Sequence, residues 1–451
     1  MGVNPAARPL QRILGLGFGL AVLFGNTVGV GILRLPGTVA AALGDRTLIL
    51  VAWILGGAYV LMCAIAGAEL AAALPEAGGF RVYARRALGE PVGYGIAWCD
   101  WLCSVVAVAL VSVTAVTFLG ALIPPVADYP RTIAVAIIAL LTVGHWIGLR
   151  VGASLTTFIS AALGVMLLLL VISCLLAAPE HRPADLPLPQ AANAAPLFSV
   201  AMLMTAVPAM RSILTAYDGW YGPIYMAEEN RQPARTLPRA MIGGAALVVG
   251  LYLSINLAIL HVLPLQVLAE STLPAADAAR LVLPRGGEQL VTIISLMTVL
   301  SLINTTLLVA PRIVFAISRD GLFWRKASEV SESGTPRMAL LLTATVAALL
   351  VVTGSFEQFV ALYSVLFLFL YISAFLAVFV LRYREPSLPR PFKAPGFPFT
   401  TGIVLLGSLA FLAAAVAEDP RSGNIGVLFL AGCVGAYARV NRARKLRAAT
   451  A

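Results

Sequence analysis

The 451-residue sequence is 60% hydrophobic and only 12% charged, and its mean hydropathy is +0.92. A soluble protein cannot bury that much apolar surface. The composition therefore excludes a soluble protein and indicates a polytopic membrane protein. A formal net charge of +10 would suggest nucleic-acid binding in a soluble chain. Here the arginines occupy loops between apolar runs, which is an orientation signal, so no nucleic-acid partner is expected.

A membrane-spanning helix needs about 20 apolar residues. Counting such windows predicts twelve spans, at residues 13–33, 47–73, 91–122, 132–148, 151–177, 196–226, 238–262, 287–318, 338–354, 356–381, 397–417 and 423–440. Most of the 31 Lys and Arg residues fall on the side of the N-terminus. The exceptions are Arg34, Arg46, Arg131, Arg182, Arg211, Arg280, Arg285 and Arg421. Since basic residues mark the cytoplasmic side, both termini are predicted to be cytoplasmic.

The first span contains an unusual cluster of small residues. Phe24 to Pro36 includes Gly25, Asn26, Gly29 and Gly31 where lipid favours a continuous helix. An interrupted helix is tolerated in a bilayer only where its backbone faces protein or a watery cavity. We therefore predict a break over Val28–Gly31 whose N–H groups face a small-molecule site. The alternative is close helix packing, because Gly25 and Gly29 have small-xxx-small spacing.

The sixth span is irregular in the same way. Thr215-Ala216-Tyr217-Asp218-Gly219-Trp220-Tyr221-Gly222-Pro223 places an acid, two glycines and a proline in one span. Broken helices five spans apart are typical of transporters built from two inverted repeats. Asp218 is interpreted first as a carboxylate that holds the break through nearby backbone N–H groups, and second as a ligand or proton carrier.

Other polar residues have simpler interpretations. Arg34 and Arg211, just outside the two breaks, form a possible vestibule for carboxylate substrates, against the alternative of snorkelling to the interface. Asp100 is interpreted as an interfacial or helix-pairing charge, and Glu69 as the partner of a basic residue such as Arg81 or Arg312. Three dispersed histidines and five cysteines, in or beside apolar runs, predict neither a metal site nor a cofactor.

Several motifs together resemble the amino acid–polyamine–organocation (APC) superfamily, closest to its L-type amino acid transporter branch and bacterial relatives. The motifs are Gly25–Ile32 in the first span, Glu69–Ala71 with Leu74–Gly79 at the exit of the second, Ala216–Trp220 with Glu228-Glu229-Asn230 and Pro233 around the sixth, Asn304, Arg312 and Arg319–Gly321 in the eighth, and Arg390–Lys393 with Pro395-Gly396 before the eleventh.

The resemblance implies the LeuT-type fold, with two inverted five-helix repeats and two appended helices. The single transporter domain 1–451 then divides into a cytoplasmic N-terminus 1–12, repeat one at 13–177, repeat two at 196–381, spans eleven and twelve at 397–440 and a basic tail 441–451.

The resemblance also implies the position of the substrate site. The α-carboxylate would meet N–H groups of Val28, Gly29, Val30 and Gly31 beside Asn26, and the α-ammonium would meet carbonyls at the end of the first half of span six. Tyr217 would cover the substrate as an aromatic lid. The sixth-span site residues are Thr215, Ala216, Tyr217, Asp218, Gly219 and Trp220. The positive N-terminal end of a half-helix attracts a carboxylate and the negative C-terminal end attracts an ammonium, so the helix dipoles agree with this placement.

One departure concerns coupling. Many sodium-independent members carry a lysine in the fifth helix where this chain has Leu163 or Gly164. Hydroxyls of Thr305 and Thr306, with carbonyls near Asn26, are a candidate cation site. We expect uncoupled exchange or sodium-driven transport.

We predict a secondary transporter for small or neutral L-amino acids in the inner (cytoplasmic) membrane. Acidic or cationic amino acids and polyamines are the alternative substrates. A channel would need filter-like rings and a membrane enzyme a convergent catalytic set, and neither pattern is present in the sequence. The partners expected are the substrate and the lipid bilayer, and the sequence leaves open whether an accessory subunit or a second copy binds.

Overall fold

The computed structural model describes residues 9–177, 200–354 and 356–449. The regular structure within these ranges is helical. The α-helices are α1 Leu16–Thr27, α2 Gly31–Leu43, α3 Arg46–Ala73, α4 Phe80–Leu88, α5 Glu90–Leu122, α6 Pro130–Ile147, α7 Leu149–Leu175, α8 Val200–Ala216, α9 Pro233–Val262, α10 Leu265–Glu270, α11 Pro274–Val282, α12 Gly287–Arg319, α13 Arg337–Thr353, α14 Phe356–Arg384, α15 Phe399–Glu418 and α16 Pro420–Ala449. Short 3₁₀ helices lie at Pro124–Asp128, Gly222–Met226 and Arg325–Ser328.

Each predicted apolar window contains α-helix within the described residues, which confirms the all-α polytopic class. Among the described residues, nine helices are long and apolar enough to cross a membrane, and the bent pair α1–α2 makes ten. Helices α8 and α13 have 17 residues each, so the count of twelve spans stays a prediction. The start of window 196–226, Arg182 and the extreme ends of the chain lie outside the described residues.

Helix α12 lies at the centre of the molecule. It packs against α5, α7, α11 and α13, and 72% of its most apolar window is buried, compared with 17% for α15 and for α16. An α-helix that is apolar all round is stable only when other elements cover it. The last two helices therefore lie at the periphery, where lipid would cover most of their surface.

Buried ion pairs join the helix ends at the basic side of the molecule. Arg312 of α12 donates from Nε and Nη2 to Glu229 at 3.1 and 2.9 Å, and both side chains are at most 2% exposed. Glu69 accepts from Arg382 of α14 at 2.8 and 2.5 Å. Glu69 thus pairs with a basic residue as expected, but the partner is Arg382 rather than Arg81 or Arg312, because α14 packs against α3 there and Arg81 is engaged by Asp320.

A short backbone bridge ties the two irregular segments together below the breaks. Leu14, just before α1, donates its N–H to Glu229 O at 3.0 Å and accepts from the Arg231 N–H at 2.9 Å. Leu14 and Asn230 form this isolated parallel bridge. The start of α1 is therefore fixed to the chain that follows the sixth span.

Candidate functional site

The first apolar segment is interrupted at the predicted position. Helix α1 ends at Thr27, α2 begins at Gly31, and the two axes differ by 48°. Val28 has extended backbone torsions, and its N–H donates to Phe24 O at 2.8 Å. The N–H groups of Gly29 and Val30 donate to no backbone carbonyl of the described residues. The break is therefore present, but Val28 is already engaged and its side chain is fully buried.

The sixth segment is interrupted after α8, which ends at Ala216. Beyond the break the chain forms turns and the 3₁₀ helix Gly222–Met226 rather than an α-helix. Gly219 has φ +121°, a conformation that residues with a Cβ rarely adopt. A Cβ at this position would lie 2.4 Å from the Asn26 carbonyl oxygen. Only glycine therefore allows the two breaks to approach this closely.

Two polar side chains join the breaks. The Asn26 Nδ2 group donates to Gly219 O at 3.1 Å. The Tyr252 hydroxyl of α9 lies 3.0 Å from Thr27 O and 3.1 Å from Ala216 O, which are the last carbonyls of α1 and α8. Tyr252 was not predicted from the sequence. Its only sequence signal is a polar tip within a long apolar run, which is also typical of a packing residue.

The glycines of the first segment divide into two roles. A Cβ at Gly25 would lie 2.7 Å from Ser301 Oγ and 2.9 Å from Ser160 Oγ, so this glycine permits close helix packing. A Cβ at Gly29 would have no neighbour within 4 Å. The packing alternative is therefore correct for Gly25, whereas Gly29 faces open space.

That open space is a cavity of about 360 Å³ at the junction of the breaks. Its volume lies in the range of small-molecule sites. The predicted site residues that line it are Asn26, Gly29, Gly31, Thr215, Ala216, Tyr217, Asp218 and Trp220. The remaining three do not line it: Val28 is buried, Val30 packs against the apolar cluster of α5, α6 and α13, and Gly219 contacts Asn26.

Aromatic rings form one wall of the cavity. Tyr217 stacks on Tyr252 with centroids 4.9 Å apart and meets Trp53 edge-on at 5.6 Å. Trp220 stacks on Phe375 of α14 at 6.0 Å, and Gly67 of α3 makes room for its ring. In this structure both predicted aromatic residues pack into the wall of the cavity.

Two carboxylates line the cavity, each held by a tyrosine. Tyr371 of α14 donates its hydroxyl to Asp218. Tyr225 contacts both oxygens of Asp100 at 2.8 and 2.9 Å, and Asp100 is 2% exposed. Asp100 therefore lies at the cavity and not at the membrane interface, so its interpretation as an interfacial charge is wrong. Its bond to Tyr225 joins α5 to the 3₁₀ helix Gly222–Met226, which agrees with the helix-pairing alternative. No described cation forms a salt bridge with either carboxylate.

The candidate cation residues do not converge. Thr305 faces Gly25 beside Ser160 and Ser301, whereas Thr306 lines the central cavity. The Asn26 amide is directed to Gly219. The Ser301 hydroxyl is buried without a hydrogen-bond partner in this structure. Among the described residues no cluster of three or more His, Cys, Asp or Glu side chains could hold a metal ion.

The two vestibule arginines differ in position. Arg211 lines the mouth of the cavity and forms an ion pair with Glu418 of α15. Arg34 is exposed on α2 and does not line the cavity. The structure thus places one of the pair at the entrance, with its charge already compensated.

Comparison with known proteins agrees with this architecture. The chain matches the amino acid permease family over residues 17–436. It is 26% identical to the serine/threonine exchanger SteT of Bacillus subtilis, over 94% of this chain and 95% of the relative. It is 25% identical to the mouse b(0,+)-type amino acid transporter 1 over 91% and 84% of the two chains. It is also 26% identical to the branched-chain amino acid permease BcaP of Bacillus subtilis, over 88% and 87%.

These relatives are transporters rather than enzymes, and the match covers nearly the whole chain. The all-helical fold, the two broken segments and the cavity between them fit the same conclusion. The chain belongs to the amino acid permease family and is a membrane transporter of amino acids.

Proposed function

We propose that this permease carries small or neutral L-amino acids by alternating access, with the zwitterion held between the two breaks. The observation that carries the proposal is the meeting of opposite helix ends at one cavity. The N-terminus of α2 offers N–H groups at Gly29 to Gly31, and α8 ends in carbonyls at Ala216. A helix N-terminus attracts an anion and a C-terminus a cation.

Backbone capture makes the site indifferent to the substrate's side chain. The space left for that side chain is bordered by Trp220, Tyr221 and Phe367. Large apolar groups already occupy much of the wall, which favours small substrates. The serine/threonine specificity in the name of SteT is consistent with this size class.

A second substrate class is supported by Asp100 and Asp218. Both carboxylates line the cavity without a cationic partner among the described residues. A substrate with an amine in its side chain would supply the missing positive charge. Acidic substrates have less support, because Glu418 pairs with Arg211.

For coupling, we propose uncoupled exchange or sodium-driven transport. The hydroxyls of Ser160, Ser301 and Thr305 surround Gly25, and oxygen ligands suit a hard cation. Steep dependence of uptake on a proton gradient, with no sodium effect and no counter-substrate, would contradict both modes. We also propose an inner-membrane location with both termini in the cytoplasm, on the strength of the arginine bias.

The zwitterion site is tested by Gly29→Ala. The added methyl meets no protein atom within 4 Å, so the fold is kept while the methyl occupies the space assigned to the carboxylate. We expect counterflow of serine or alanine into proteoliposomes to fall at least tenfold, which corresponds to about 1.4 kcal/mol.

Gly250→Ala is the matched control, because Gly250 on α9 also has open space around its Cα and lies outside the cavity lining. It should transport like the wild type. Counterflow at the wild-type rate by Gly29→Ala would show that the substrate carboxylate does not bind at this break. Repeating the assay with lysine and leucine, with and without sodium, separates the two substrate classes.

A further inference from the structure

A second groove lies outside the transport site, at the basic end of α9. It has a volume of about 490 Å³ and is bordered by Ala234, Arg235, Pro238, Arg239, Ile242 and Gly243 of α9, together with Pro391 and Phe392 of the loop before α15. One turn of helix separates the two arginines, so both project from the same face.

The two arginines have no counter-charge among the described residues. Both are exposed, and no carboxylate of the described residues pairs with either. Nearby acids are engaged elsewhere: Glu228 by Arg319, Glu229 by Arg312, Glu385 by Arg86 and Glu69 by Arg382 and Arg390. Lys393, next to Phe392, is also exposed and unpaired among the described residues. The groove therefore presents a net positive rim.

The polarity of the groove changes along the helix axis. Arg235 and Arg239 lie within the first two turns of α9, and Ile242 and Gly243 follow them. At 1.5 Å per residue, Ile242 is about 10 Å further along α9 than Arg235. A charged rim followed by an apolar floor is the order of groups in a membrane lipid, with the headgroup at the interface and the acyl chain below it. A basic pocket beside transmembrane helices is a recognised setting for anionic headgroups.

We propose that this groove binds one anionic phospholipid. The phosphate contacts Arg235 and Arg239, and an acyl chain lies over Ile242 and Gly243 against Phe392. The site is separate from the transport cavity, with which it shares no lining residue. It does not depend on which amino acid is carried.

The test is a lipid titration of the purified full chain in detergent, followed by native mass spectrometry with phosphatidylglycerol, phosphatidylcholine or inorganic phosphate. We expect one phosphatidylglycerol to bind at least tenfold more tightly than phosphatidylcholine. The double variant Arg235→Gln/Arg239→Gln should weaken phosphatidylglycerol binding roughly thirtyfold, since each basic residue near a surface contributes roughly fivefold.

The control is Arg325→Gln/Lys326→Gln, which removes two exposed cations of the 3₁₀ helix Arg325–Ser328 that form no salt bridge within the described part of the chain. It should change the affinity less than about threefold. Equal losses in the two double variants would mean attraction to surface charge in general and would overturn the proposal.

Gly243→Leu separates a lipid from a free anion. A Cβ at Gly243 would have only Leu20 nearby, at 3.9 Å, so the leucine fits on the helix and fills the apolar floor. We expect phosphatidylglycerol binding to fall at least tenfold with no change in phosphate binding. If inorganic phosphate binds as tightly as phosphatidylglycerol and Gly243→Leu changes neither, the groove is an anion site and the lipid proposal is wrong.

Discussion

Two neighbouring glycines of the first segment have different surroundings in the structure. Gly25 and Gly29 are one helical turn apart, and in sequence they form a single packing motif. In the structure, Gly25 lets α1 contact the hydroxyls of α7 and α12, and Gly29 leaves room for a ligand. The same missing side chain thus allows close packing at one position and leaves open space at the next.

At the scale of a single residue, we predict that the Tyr252 hydroxyl stabilises the protein. Its hydroxyl is buried against Thr27 O and Ala216 O. Tyr252→Phe leaves these buried carbonyls without that donor, which typically costs about 1–3 kcal/mol. We expect thermal unfolding of the ligand-free protein in detergent to occur at a lower temperature. Tyr383→Phe is the control, because Tyr383 is 88% exposed, and its stability should be unchanged. Equal stabilities would show that the hydroxyl does not hold the breaks.

The residues of the candidate site were only partly predictable from sequence. Glycine, asparagine and aspartate in apolar spans stand out, and eight of the eleven predicted substrate residues line the cavity. Tyr252 and Asp100 were missed as site residues, because their roles depend on which helix faces which. A single tyrosine or a near-interface aspartate carries no such information in one sequence.

At the scale of elements, α12 and the chain after α8 are held by a buried ion pair. Glu229 and Arg312 form two hydrogen bonds to each other in a region that water does not reach. Such a pair contributes little net stability compared with an apolar pair, but removing one partner leaves the other charge buried and uncompensated.

Glu229→Ala should therefore lower the free energy of unfolding by about 3–5 kcal/mol. Glu385→Ala provides the comparison, because it breaks an ion pair with the half-exposed Arg86 and should cost at most about 1 kcal/mol. Chemical unfolding of both variants in the same detergent measures the difference. Similar losses for the two would indicate that the Glu229 pair is solvated.

Element prediction succeeded where hydrophobicity is the cause of the structure. Nine of the twelve apolar windows agree with the helices to within five residues, because lipid leaves the backbone no alternative. Windows 13–33, 196–226 and 423–440 differ from the helices by nine or ten residues at their C-terminal ends. Helices α4, α10 and α11 were not predicted. They have 9, 6 and 9 residues and lie in connections, where tertiary packing rather than an apolar run determines the fold.

At the scale of the whole molecule, the distribution of basic residues predicts the orientation in the membrane. The basic residues mark one face, and five predicted crossings separate the loop at Asp128 from the loop at Glu329. We expect cysteines introduced by Asp128→Cys and Glu329→Cys, both at exposed positions, to react with a membrane-impermeant thiol reagent from opposite sides. Labelling both from the same side would mean that an even number of crossings, and not the predicted five, separates the two loops.

A count of protons at the junction of the breaks gives the site a further property. The Tyr252 hydroxyl carries one hydrogen but lies within bonding distance of two carbonyl oxygens, at Thr27 and Ala216. One hydrogen shared between two carbonyls bonds each of them less strongly than a full hydrogen bond does. An ammonium group brings three donors. If the α-ammonium binds here as we propose, it would supply a further donor to these two carbonyls.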